Sequence, residues 1–410
     1  MGRSAGSSPG IHPCAVNSEG VKRTLLSASA LLTTLLGSAA HAEVIKVVSV
    51  SPLTGTRATL GVEFRRGAEM ALRLHTPAFN KLGHSLKLLP LDDQGNPTRA
   101  GLLSGVLQGD NHILGIVGPQ NSGVVNALAA ALKPSPIAMV APSSTNDDLT
   151  QQGWNYFNRL PSPDLAQAGV AAAFLKAKFR PRRVYVVSDN TTYGNGLTEV
   201  MQARLAAEGV KVVGFLGAST PEQIEDVLRR IKGLDADLVY FGGTDLAAAA
   251  VLKAMRKGGV TVPFAAGHGV FSAAFVEAAG DAAEGVVFSS PMAPLEKLPA
   301  AQAFLREYRA RYRAEPNPRA LAAFESMNVL LLATLNEIGG VKGKVPTRAQ
   351  VMAAVRKVNL PACTGTGVCM NPSGPLSFDA SGERRTSRVY MLEYGKGGVP
   401  ELLSTETTSR

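Results

Sequence analysis

Beyond residue 42, this 410-residue chain carries none of the common catalytic signatures. It has no Gly-x-Ser-x-Gly elbow, no His-Glu-x-x-His pair and no phosphate loop ending in Gly-Lys-Ser/Thr. Gly115 and Gly118 lack the spacing of a dinucleotide fingerprint. No cofactor is indicated, and an enzyme is not expected. Cysteine is scarce, at three residues, which excludes a cysteine-rich metal module or a disulfide scaffold. Of six histidines only His75, His84, His112 and His268 lie beyond residue 42, and three of these four sit in surface-like contexts. Charged residues make up only 18% of the chain. The net charge of +10 is scattered over pairs such as Arg65-Arg66, Arg182-Arg183, Arg229-Arg230 and Arg384-Arg385, without interleaved aromatics, so nucleic-acid binding is not expected. No long apolar run follows residue 42, and a soluble mature protein is expected. What is present is 45% hydrophobic residues, ample for buried cores, in a length that suggests two domains.

The first 42 residues read as a targeting segment. Lys22-Arg23 is a short basic region, residues 24–37 are an apolar run rich in Leu and Ala, and Ala40-His41-Ala42 is a small-x-small cleavage site. A secretory signal peptide is expected, with cleavage before Glu43. The run is short for a spanning anchor and is diluted by Ser and Thr. Residues 1–20 hold Gly, Ser and Pro without pattern, and translation is expected to start at Val21. Cys14 precedes the cleavage site, leaving Cys363 and Cys369. A lone pair in an exported protein is expected to form a disulfide, and no histidine or second cysteine pair accompanies it to hold a metal.

From Glu43 onward, apolar strands alternate with helical periodicity. Strands are predicted at 44–51, 85–91, 112–117 and 137–141, with helices at 60–74, 98–108 and 123–132. A second series has helices at 165–179, 196–208, 221–231 and 246–257, and strands at 184–188, 210–216, 238–241 and 262–265. Short strands that are apolar on both faces belong to parallel sheets covered by helices. The fold class is therefore α/β, with two doubly wound, Rossmann-like lobes. Leu160-Pro161-Ser162-Pro163 is a hinge crossing by its prolines, and a second boundary falls near Ser289-Ser290-Pro291. Helices at 301–314, 319–338 and 348–358 and strand-like runs around Phe378 and at 388–394 follow. Helices with so few strands of their own are expected to return to the first lobe. The expected division is 43–162 with 291–375 for lobe 1, and 163–290 with 376–410 for lobe 2.

Two segments say most about function. Gly115-Ile116-Val117-Gly118-Pro119-Gln120-Asn121-Ser122-Gly123 and Met139-Val140-Ala141-Pro142-Ser143-Ser144-Thr145-Asn146 each run from a buried strand through a polar turn toward a helix start. Neighbouring strands that end this way bring hydroxyls and free N–H groups into one crevice, a site for a small anionic group. With the signal peptide and two lobes, they make the chain resemble the periplasmic leucine/isoleucine/valine-binding proteins, the substrate-binding components of branched-chain amino-acid-type ABC transporters. The likeness also rests on Ser51-Pro-Leu-Thr-Gly55 with Gly61 and Gly67-Ala68, on Leu91-Asp92-Asp93, on Tyr193-Gly194 with Gly196, on Tyr240-Phe-Gly-Gly243 and on Gly374-Pro-Leu-Ser-Phe-Asp379.

The resemblance implies a type I periplasmic binding fold with a hinged cleft, in a periplasmic monomer. It implies delivery of a small polar ligand, an amino acid or related carboxylate or amide, to ABC permease subunits by cleft closure. A sensor subunit that signals to a receptor or regulator is the alternative. It places the ligand carboxylate on Ser122 and Thr145, offers the Ser143 carbonyl, and puts Asp164 and Tyr193 in the cleft. Ser122 and Thr145 can serve as helix caps at the same time, and Asp164 can cap the helix that follows it.

Three positions depart from the amino-acid-binding pattern. His268 stands where the family carries an acid for the ligand's ammonium, Thr244 stands where an aromatic follows the Gly-Gly pair, and Leu60 replaces another aromatic. A neutral histidine does not substitute for a carboxylate as a cation partner, and burying an unpaired ammonium is costly. Either Asp245 or Asp164 supplies the charge, or the ligand has no α-ammonium. Hydroxy acids, aromatic acids and amides then become candidates, met by Thr244, Asp245 and His268 from the second lobe.

Overall fold

The computed structural model describes residues 42–364 and 368–409. The targeting segment up to His41, with the expected start at Val21 and Cys14, lies outside the described residues.

Parallel strands with two apolar faces need cover on both sides, and the chain supplies it by alternation. β1 (Glu43–Ser51), β2 (His84–Asp92), β3 (Ile113–Val117), β4 (Ala138–Ala141) and β5 (Phe157–Arg159) form one parallel sheet in the order β2-β1-β3-β4-β5. The helices between them are α1 (Ala58–Lys81), α2 (Pro97–Gly109) and α3 (Ser122–Leu132). Asn96 starts α2, its side chain accepting the N–H groups of Thr98 and Arg99 ahead of Pro97 at the first helical position.

The second sheet repeats the pattern. β6 (Arg183–Ser188), β7 (Lys211–Gly217), β8 (Leu238–Gly242), β9 (Phe264–Ala266) and β10 (Val287–Ser290) are parallel. They alternate with α4 (Asp164–Phe179), α5 (Thr192–Ala207), α6 (Pro221–Gly233), α7 (Asp245–Lys257) and α8 (Ala273–Ala279). The chain then crosses back through α9 (Gln302–Tyr312), α10 (Pro318–Gly340) and α11 (Arg348–Arg356). After a short antiparallel pair, β11 (Asn359–Leu360) and β12 (Leu376–Ser377), it ends in β13 (Thr386–Tyr394) and β14 (Pro400–Ser409). These two add antiparallel to β10, for the order β14-β13-β10-β9-β8-β6-β7.

α10 is long and apolar enough to cross a membrane, yet 78% of that stretch is buried inside the protein. It packs along α1 and across β3 and β4. Gly67 makes the helix contact possible: a Cβ there would lie 1.9 Å from the Ala320 carbonyl oxygen, so only glycine lets the backbones approach. Cys363 and Cys369 are joined by a disulfide.

The structure departs from the sequence reading in places with identifiable causes. β10, read as a boundary, is an inner strand of the second sheet; its Val287-Phe288 pair is too short a run to signal a strand before Ser289-Ser290. β14 escaped notice because an edge strand of Ser, Thr and Glu shows no apolar alternation. α5 begins at Thr192 rather than 196, because the Thr191 hydroxyl accepts the Gly194 N–H at 2.9 Å and caps a glycine-containing first turn. The surface-like settings expected for three histidines are corrected too. Among the described residues, His112 is the only exposed histidine. His75 is buried against Asn328 of α10, and His84 against the Gly343 carbonyl.

Candidate functional site

Parallel strands followed by helices put strand C-termini and helix N-termini at the same edge of a sheet, and that edge is where ligands bind in open α/β folds. Here the two such edges face one another across a cavity of about 530 Å³, within the roughly 300–1,000 Å³ of small-molecule sites. The first turns of α1, α3, α5 and α10 and the residues that start α2 and α7 contribute to its wall. These helices turn the positive ends of their dipoles toward the wall, and the α3 start has no side-chain cap on its N–H groups, so the wall favours an anion.

On the first lobe the wall is built from the two turns singled out above. Ser143 and Ser144 donate their hydroxyls to the Gln120 carbonyl at 2.9 and 3.0 Å, which ties the turn after β4 to the turn after β3. Ser122 begins α3, and its hydroxyl oxygen accepts the Asn146 N–H at 3.4 Å, so its own proton remains to donate into the cavity it lines. Leu60 gives the wall an apolar patch, and Gln120 and Asn121 line it beside Ser122.

On the second lobe, buried Asp189 organises the wall. Its carboxylate accepts the N–H and hydroxyl of Thr191 and the N–H and hydroxyl of Thr244, all between 2.6 and 3.0 Å. Tyr193 and His268 form a second buried unit, with ring centroids 4.9 Å apart. The Tyr193 hydroxyl accepts the Gly269 N–H at 3.3 Å, so its proton goes to His268 Nδ1 at 3.1 Å. This assigns the other ring nitrogen, Nε2, as the protonated one. The Ser143 backbone favours protonation of the His268 ring electrostatically, without a hydrogen bond in standard geometry. Burial, and then the nearby Arg319 charge, push the His268 pKa down to about 3, so the imidazole is neutral. Burial likewise raises the Tyr193 phenol well above its usual range, keeping its proton in place.

Two arginines complete the cavity wall. Arg57, from the loop before α1, bonds the Asp245 carboxylate of α7 at 3.1 Å. Burial favours protonation of Asp245, but Arg57 and Arg319 outweigh it and hold this carboxyl below its ordinary range. Arg319, at the second residue of α10, is 5% exposed. It donates to the carbonyls of Phe271 at 2.6 Å and His268 at 3.3 Å. Asn146 Nδ2 also crosses between lobes, to the Thr192 carbonyl at 3.2 Å.

Of the residues named from sequence, Ser122, Ser143, Tyr193, Thr244 and His268 line the cavity together. Thr145, Asp164 and Asp245 are buried and are not among the residues that line it. Thr145 and Asp164 are fully buried, and the Thr145 hydroxyl and both Asp164 carboxyl oxygens have no hydrogen-bond partner in standard geometry among the described residues. Burial pushes the Asp164 pKa up to about 8; the adjacent Thr145 hydroxyl opposes this without cancelling it. Asp164 therefore does not offer a charge to an ammonium near neutral pH.

Sequence reasoning missed Arg57, Arg319, Gln120, Asn121 and Asp189. One signal was available for Arg319. A cation in the first turn of an apolar helix opposes the dipole, and such a local conflict marks a functional position.

Comparison with known proteins agrees with this architecture. The profile of the periplasmic binding protein family matches residues 44–398. A Leu/Ile/Val-binding protein of Rhizobium johnstonii is 31% identical over 271 residues, which is 65% of this chain and 73% of that protein. The crystal structure of a leucine binding protein of Thermotoga maritima matches with a TM-score of 0.77 at 23% identity, over 88% of this chain and 98% of that one. A solute binding protein of R. palustris in complex with benzoate matches with a TM-score of 0.74 at 21% identity, over 90% of this chain and 98% of that one. At such identities the structural likeness is one of fold. These relatives are solute-binding proteins and not enzymes, in line with the missing catalytic motifs. With its family match spanning both lobes and the cavity between them, the chain belongs to the periplasmic binding protein family.

Proposed function

We propose that this protein captures a small organic carboxylate lacking an α-ammonium group and hands it, in the closed form, to the permease of an ABC transporter. One observation carries this reading. Arg57 and Arg319 line the cavity with the helix starts, and no Asp or Glu lines it among the described residues. His268 stands where an acid partner for an ammonium was expected, and its neutral ring carries no negative charge. The benzoate bound by one structural relative is a carboxylate of the same kind.

In this reading the carboxylate docks on the first lobe, on the Ser122 hydroxyl and the N–H groups of the α3 start. The second lobe then swings in about the three chain crossings, bringing Tyr193, Thr244 and His268. The Arg57–Asp245 pair and the Asn146–Thr192 bond hold the lobes together, and closure of this kind is the usual hinge device of binding proteins. Thr145 and Asp164 support the turn from behind. The protein acts as a periplasmic monomer after signal-peptide cleavage before Glu43, with residues 43–162 and 291–375 as lobe 1 and the remainder as lobe 2.

The test is a calorimetric titration of the mature protein with benzoate, aliphatic and hydroxy acids, and leucine. The acids should bind and leucine should not. His268→Glu restores an acid beside the Ser143 carbonyl and should raise leucine affinity by ~10-fold or more, about 1.4 kcal/mol. Tight leucine binding by the unaltered protein would refute the proposal.

A further inference from the structure

We propose that the ligand is a dianion, a small dicarboxylate, with one carboxylate at the helix starts around Ser122 and the other on Arg319 and Arg57. This rests on the reading of the cavity as a carboxylate site and adds a second charge to its ligand.

Arg319 is the residue that asks for it. Its guanidinium is buried, lines the cavity, and has only two carbonyl oxygens as hydrogen-bond partners among the described residues. It makes no ion pair there. The carboxylates nearest in electrostatic terms are Asp245 and Glu63. Asp245 is committed to Arg57, the Ser272 hydroxyl and the Leu246 N–H. Glu63 is bonded by Asn317. Burial pushes the Glu63 pKa up, and the Arg319 charge and the Asn317 bond oppose this. A buried cation whose hydrogen bonds go only to carbonyl dipoles is costly even with Asp245 and Glu63 acting on it at longer range, and this one also faces the positive end of its own helix. An acid group supplied by the ligand removes both costs.

A monocarboxylate does not meet this need while it sits at the Ser122 end. Arg57 and Arg319 bring two positive charges to the wall, and one contacting carboxylate, Asp245, answers them. The remaining charge and the helix dipoles together match two acid groups. Arg57 spends one Nη on Asp245, and a guanidinium has further N–H donors to share with a ligand. Amino diacids are disfavoured, because the neutral His268 offers an ammonium no negative charge.

The experiment compares matched pairs on the mature protein by calorimetry: succinate with butyrate, glutarate with valerate, adipate with hexanoate, and phthalate with benzoate. The best dicarboxylate should bind ~10-fold or more tighter than its monocarboxylate partner, in keeping with a charge-assisted pair. Arg319→Gln should collapse that ratio toward one. Arg57→Gln, at a partly exposed position, should lower it as well, and serves if the first variant does not fold. Equal binding of each pair, or an Arg319→Gln variant that weakens both members alike, would overturn the proposal and leave Arg319 as a latch between lobes. Failure of both series to bind would instead remove the carboxylate reading itself.

Discussion

Replacing Asp164 with asparagine should flatten a pH dependence of stability that burial of this carboxyl imposes. The ordinary pKa is 3.8, and burial raises it to about 8 in the folded protein. Below pH 4 both folded and unfolded chains hold the proton, and the group costs nothing. Above that the unfolded chain releases its proton while the folded one keeps it, so stability falls as pH rises through the window between the two values. The slope is ~1.4 kcal/mol per pH unit, so raising the pH from about 5 to about 7.5 should cost ~3 kcal/mol. Asparagine cannot titrate, and the cost should vanish from its curve. Urea unfolding of both proteins across this range, without ligand, measures the difference. Other groups that titrate there, such as Asp93, whose pKa burial raises to about 6, are shared and cancel. A wild-type-minus-variant difference that stays flat with pH would show that Asp164 ionises normally, and the reasoning from burial would fail.

Three other substitutions probe the site and the frame. Ser122→Ala should weaken every carboxylate ligand by ~1.5–3 kcal/mol, the worth of a hydrogen bond to a charged group, and unchanged calorimetric affinity would exclude the Ser122 clamp. Gly123→Ala places a Cβ 2.9 Å from the Thr192 hydroxyl across the cleft. Ligand affinity should drop while the unfolding midpoint of the free protein stays put; a loss of stability with normal binding would argue against a closure contact. Replacing Cys363 and Cys369 with serine opens a loop of sequence separation 6. It should cost ~2 kcal/mol of stability by loop entropy and leave binding intact, as denaturant titration and calorimetry can show.

Much of the fold was legible because it is written in local patterns. Two-faced apolar strands, helix periodicity and caps such as Asn96 are short-range signals, and they specify a doubly wound α/β chain with two lobes. The turns ending in Ser122 and Ser143 were legible for the same reason, since strand, polar turn and helix start lie within a few residues of each other. Elements defined by their neighbours were not. β14 is a strand because β13 offers it a ladder, and the short β10 is a strand because β9 and β13 flank it.

The character of the site was decided by the tertiary structure. Sequence placed Thr145 beside Ser122 as an equal partner, and in the structure it is fully buried and is not among the residues lining the cavity. It marked His268 as an odd residue, but only the fold brings Tyr193 to Nδ1 of its ring and buries the ring so that it stays neutral. Arg57 and Arg319 are 262 positions apart in sequence and share one cavity. Residue type and spacing carry information over a helix turn or a strand. Burial, charge balance and tautomer arise from groups that meet across two lobes, and these determine which anion the cleft accepts.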